Sequence, residues 1–167
     1  MGNIAFFSSR KNVTDEQLTE KLKTLVSERF PSGIIEVRPE FFEGKVCSWI
    51  VGPREDLCGK KVWQYELEFH RIGPRKFGTK YPHSDWGTWL MYVILNNMAF
   101  RCDGRVSDES DDVTEPGDPN KDTTFLAYLN KNRAWRIKIH GEELGNRFSD
   151  MHQEAVCHDM PNVMANL

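Results

Sequence analysis

The stretch Ser84-Asp85-Trp86-Gly87-Thr88-Trp89-Leu90-Met91-Tyr92-Val93-Ile94-Leu95-Asn96-Asn97-Met98-Ala99-Phe100 decides the fold. Ser84 or Asp85 offers a side-chain oxygen to cap a helix start. Trp86, Trp89, Leu90, Val93 and Ile94 then recur at helical spacing, and Met91, Leu95 and Met98 widen the stripe. A helix apolar around most of its circumference belongs at the buried centre of a domain, with the rest of the chain packed around it. Asp103-Gly104 ends it, since glycine takes the left-handed residue after a helix at no steric cost.

Upstream, Asn3-Ile-Ala-Phe-Phe-Ser8 reads as a short first strand. Thr14 and Gln17 form a capping box, and Leu18, Leu22, Leu25, Val26 and Phe30 continue it as one apolar helical stripe. Pro31-Ser32-Gly33 stops that helix. Ile34 to Arg38 and Val46 to Val51 predict a hairpin turned at Glu43-Gly44. Val62 to Phe69 alternates, with Trp63, Tyr65, Leu67 and Phe69 on one side, which predicts a half-buried antiparallel strand. Gly73-Pro74 and Gly78 mark a basic loop running to Pro82.

Downstream, Arg105 to Ser107 predicts a short strand, and Thr123 or Thr124 caps a short helix through Leu129. Ala134 to His140 alternates Trp135, Ile137 and Ile139 against Arg136, Lys138 and His140, the pattern of another strand. The reading is an α+β domain: a mostly antiparallel sheet of about five or six strands packed against two main helices. Residues 1–140 form a single compact domain, and 141–167 form a C-terminal arm, docked or mobile.

Composition narrows the function. The chain has 167 residues with 5 Trp, 4 Tyr and 10 Phe, enough apolar bulk for one core. No apolar run approaches the ~20 residues of a membrane helix, and no basic stretch followed by an apolar one opens the chain. The four cysteines form no CxxC pair, so the expectation is reduced thiols in a cytoplasmic protein.

The net charge of −3 conceals an asymmetry. Residues 1–102 carry 15 basic and 12 acidic side chains, residues 123–167 carry five of each, and residues 103–122 carry two basic against eight acidic. Asp108, Glu109, Asp111, Asp112 and Glu115 crowd five carboxylates into eight positions. Their repulsion must be offset by solvent, a cation or a basic partner. Asp118, Asn120 and Asp122 match the opening ligand positions of an EF-hand, but Thr123 replaces the turn glycine and Leu129 the closing glutamate.

Catalytic signatures are scarce: no GxSxG, HExxH, Walker A or GxGxxG occurs. His83 and Asp85 place an imidazole near a carboxylate, the raw material of a general base or a metal site. His152, Cys157, His158 and Asp159 carry zinc-ligand chemistry without a zinc-site spacing. Lys60, Lys61, Arg71, Arg75, Lys76 and Lys80 interleave with Trp63, Tyr65, Phe69, Phe77 and Tyr81, as in surfaces that track phosphates and stack bases.

The expectation drawn from these features is a small non-enzymatic protein-binding module. It would present Asp108, Glu109, Asp111, Asp112 and Glu115 to a basic partner surface, with no cofactor, no metal and no catalytic residue. In size and composition it is similar to small bacterial immunity proteins or phage-encoded inhibitors. Two alternatives follow from other residues. One is a metal-dependent hydrolase or nuclease using His83, Asp85 and the acidic carboxylates. The other is single-stranded nucleic-acid binding through the basic and aromatic 60–81 region.

Overall fold

A computed structural model describes residues 4–58, 62–108, 115–118 and 122–167. The elements are β1 (Ile4–Ser9), α1 (Asp15–Arg29), β2 (Ile35–Phe42), β3 (Lys45–Pro53), β4 (Leu67–Gly73), β5 (Lys76–Lys80), α2 (Asp85–Arg101), β6 (Gly104–Asp108), β7 (Glu115–Pro116), α3 (Phe125–His140), α4 (Glu142–Asp159) and α5 (Pro161–Ala165). One antiparallel sheet runs β2-β3-β4-β5-β1-β6-β7, six full strands and a two-residue seventh. The class is α+β.

Local chemistry sets the first half. Thr14 accepts from the Gln17 backbone N–H at 3.1 Å while the Gln17 side chain accepts from Thr14 N–H at 3.0 Å, closing the capping box. Glu43 and Gly44 carry φ of 49° and 77° at the β2–β3 turn. Alternate residues Ala5, Phe7, Trp49, Val51, Leu67, Phe69 and Phe77 are buried in the same core as Leu18, Leu22, Leu25 and Val26 of α1.

Helix α2 is the centre of that core. Ser84 caps it by accepting from Gly87 N–H at 3.0 Å, and Trp86, Trp89, Leu90, Met91, Ile94, Leu95 and Met98 are fully buried. The rings of Trp86, Trp89 and Phe125 meet pairwise at 5.1–5.2 Å. Their indole N–H groups are satisfied: Trp86 donates to Tyr65 O at 3.1 Å and Trp89 to Thr123 O at 2.9 Å.

Four local expectations are corrected. The left-handed residue after α2 is Asp103, at φ 52°, and Gly104 already opens β6. Residues 134–140 are not a strand but the second half of α3, which runs unbroken from its Thr124 cap to Gly141, at φ 88°. The alternation of Trp135, Ile137 and Ile139 misled because Ile137 faces α4 while the other two remain exposed. Val62–Tyr65 is a 3-10 turn, so Trp63 leaves the line of Tyr65, Leu67 and Phe69 and stands 67% exposed. The basic loop after Gly73 contains β5, in which Gly78 lies so close to Ala5 O and the Phe6 side chain that a Cβ would meet both at 2.7 Å.

Helices α3 and α4 pack side by side as an antiparallel hairpin, which the sequence reading did not contain. At Gly145 a Cβ would lie 2.5 Å from the Ile137 backbone, so glycine permits the close approach. Arg133 binds Asp150 at 2.7 Å and the Asn146 side chain at 3.0 Å across the pair. Past Gly141, Val156, Met160 and Val163 are buried in the common core.

Candidate functional site

The acidic segment begins and ends on the sheet edge. Strand β6 pairs with β1, placing Asp108 opposite Ala5, and Val106 and Arg105 pair with Glu115 and Pro116 of β7. The chain thus leaves the sheet at Asp108 and returns at Glu115. Glu109, Asp111 and Asp112 lie outside the described residues, and of Glu115 only the backbone is described.

Residues 115–118 press against α2. A Cβ on Gly117 would meet Phe100 N at 2.1 Å, and Asn96 exchanges two hydrogen bonds with the Asp118 backbone, at 2.8 and 3.0 Å. Asp122 is drawn inward: it accepts from Arg29 Nε at 3.0 Å and from Asn97 Nδ2 at 3.0 Å, with both ion-pair partners mostly buried. That carboxylate fixes the start of α3 to α1 and α2. Asp103 pairs with Arg10 at 3.4 Å in the open, where such a pair contributes little.

Beside this edge lies a depression of about 560 Å³ between α2 and α3. Trp89, Val93, Ala127 and Val106 make much of its wall apolar, Tyr92 and Tyr128 give it hydroxyls, and Pro116 closes it on the acidic side. Its volume falls within the range of sites that take a small molecule or a partner's anchoring side chain. Burial, then the hydrogen-bonded Tyr92 and the charge of Asp108, pushes the nearby Tyr81 phenol up to about 12. Burial likewise raises Tyr128, opposed by its hydrogen bonds to Asn132 and Thr88. These phenols stay neutral donors at neutral pH. The site can therefore bury an apolar group beside Tyr92 and Tyr128, and the charged side chain in its wall is the basic Lys131.

The other candidate residues fall elsewhere. Asp85 is taken up by Arg136, whose Nη2 lies 2.8 Å from both carboxylate oxygens, and by Asn132 at 3.3 Å; His83 beside it is exposed. Asp85 so anchors α3 to the N-terminus of α2. His152, Cys157 and His158 are exposed on α4, and Asp159 accepts from the Tyr65 hydroxyl. Among the described residues no group of three or more His, Cys, Asp or Glu side chains converges as a metal site. No described helix is long and apolar enough to cross a membrane.

The basic and aromatic region is dispersed. Tyr65, Phe69 and Phe77 are core, Arg71 donates to Asp15 at 2.8 Å, and Lys76 stands 4.6 Å over the Phe6 ring. Lys60 and Lys61 lie outside the described residues. Sequence reasoning missed the depression because its walls come from α2, β6, β7 and α3. Only the spacing of Tyr92 and Asn96, on the turn of α2 facing that strand edge, hinted at it.

No protein-family model, no curated protein and no solved structure matches this chain.

Proposed function

We propose that this protein is a small non-enzymatic binding module that engages a basic protein partner through the sheet edge around Asp108, Glu109, Asp111, Asp112 and Glu115. The observation that carries the reading is the depression at that edge, bounded by Val106 and Pro116 on the strands that flank the acidic segment. Charge alone gives steering and rarely tight binding; a largely apolar pocket beside the point where the acidic segment leaves the sheet supplies a place for an anchoring side chain. Tyr92, with its large ring 46% exposed at the pocket, is the principal contact on this side. The partner carries lysines and arginines around one protruding apolar side chain. Binding of this kind blocks or shields a basic functional surface, the mode of an inhibitor or immunity protein.

The test is quantitative affinity capture from lysate of the source cell with three baits: the wild-type chain, a variant with the five carboxylates changed to amides, and Tyr92→Ala. A single basic protein captured by the first bait and lost from both others is the expected result. A capture profile identical across the three baits overturns the proposal.

A further inference from the structure

A second depression, of about 470 Å³, lies where β1 ends, between the 10–14 loop, the first turns of α1 and the end of α2. It sits at the opposite end of β6 from the acidic edge, since Ser9 pairs with Gly104 and Ala5 with Asp108. Its floor is apolar: Phe7 and Leu18 are each 2% exposed, and Val13 packs beside them. The loop above that floor is tied to the β4–β5 turn. Ser9 N–H donates to Arg75 O at 2.9 Å, Val13 N–H donates to Pro74 O at 3.1 Å, and the Ser9 hydroxyl donates to Lys11 O. A site on a tethered loop is already formed, so a ligand spends little on ordering it.

The wall of this depression is cationic. It carries Arg10, Lys11 and Lys21 against one carboxylate, Asp103, an excess of two positive charges. The Arg10–Asp103 pair, at 3.4 Å, has side chains 76% and 75% exposed, so water competes with it and an incoming anion can displace it. Lys11 and Lys21 make no ion pair and no side-chain hydrogen bond among the described residues. Two amides stand among these cations. Gln17 spends its side-chain oxygen on Thr14 N–H, at 3.0 Å, which leaves its NH2 group to donate. Asn12 has no side-chain partner among the described residues and can donate as well.

We propose that this depression binds a small organic phosphate monoester, at a site separate from the partner-binding edge. Such an ester carries close to two negative charges at neutral pH, which the cationic excess matches. Its terminal oxygens accept from Arg10, Lys11 and Lys21 and from the two amides, in charge-assisted bonds stronger than neutral ones. The carbon body rests on Val13 and Leu18, over Phe7. Inorganic phosphate would leave that floor uncovered, and a neutral ring would leave the cations unmatched. The volume lies within the range of small-molecule sites.

Amide NMR of the full 19.4 kDa chain, titrated with phenyl phosphate at constant ionic strength, tests this. Saturable shifts centred on residues 10–13, Gln17 and Lys21 are the expected result. Inorganic phosphate and phenol, the two halves of the probe, should each bind at least about tenfold more weakly. So should phenyl phosphate to Lys11→Gln/Lys21→Gln, a variant at two exposed positions whose spectrum should otherwise match wild type. The proposal is overturned by the absence of a saturable shift up to about 10 mM probe, by shifts centred elsewhere, or by an affinity unchanged in the double variant. Either half of the probe binding as tightly as the whole would overturn it too.

Discussion

Asp85 shows how one carboxylate can be misread from its neighbours along the chain. Beside His83 it has the look of a general base, yet its oxygens bind Arg136 and Asn132 of α3, in a pair whose side chains are only 14% and 13% exposed. Removing one member of such a shielded pair strands the other, a cost of about 3 kcal/mol. Asp85→Ala should therefore lower the unfolding free energy by about that amount in urea titration, while a His83→Ala change should lie within about 0.5 kcal/mol of wild type. Equal effects of the two substitutions would return Asp85 to the catalytic reading. Ser84 is the opposite case: the sequence placed a cap at Ser84 or Asp85, and the bond that gives it to Ser84 closes on Gly87 within one turn. Partners next to each other in sequence can be read there, whereas Arg136 stands 51 residues from Asp85.

At the scale of elements, the same distinction separates the two halves of the chain. Helix α1, the β2–β3 hairpin and α2 announce themselves through caps, turn residues and periodicity. Helix α3 does not, because Trp135, Ile137 and Ile139 satisfy a period of two, and only the Gly145 contact reveals which of them is turned inward. That contact makes a prediction of unusual sign. At an exposed helical glycine, alanine stabilises by about 1 kcal/mol. At Gly145 the new Cβ meets the Ile137 backbone, which no rotamer can relieve, so Gly145→Ala should destabilise by about 2 kcal/mol. Amide exchange should quicken in α3 and α4 ahead of the sheet; an unchanged or raised stability would show that the helices do not approach so closely.

Across the whole molecule, the proposed partner-binding surface joins residues far apart in the chain. The acidic segment leaves the sheet at Asp108 and returns at Glu115, next to a largely apolar depression of about 560 Å³. The charge of the 103–122 segment could be counted in the sequence; the pocket could not, since its walls join residues from Trp89 to Lys131 that only the fold assembles. The central claim is that this edge binds a basic surface. Charge that steers encounter is screened by salt over roughly 10 Å at 0.1 M, so it acts first on the association rate. The most direct measurement is that rate for the captured partner, taken by stopped flow across an ionic-strength series with wild type and the five-amide variant. The account predicts a rate for wild type that falls steeply with salt and a slower, nearly flat one for the variant. A wild-type rate independent of salt would contradict it.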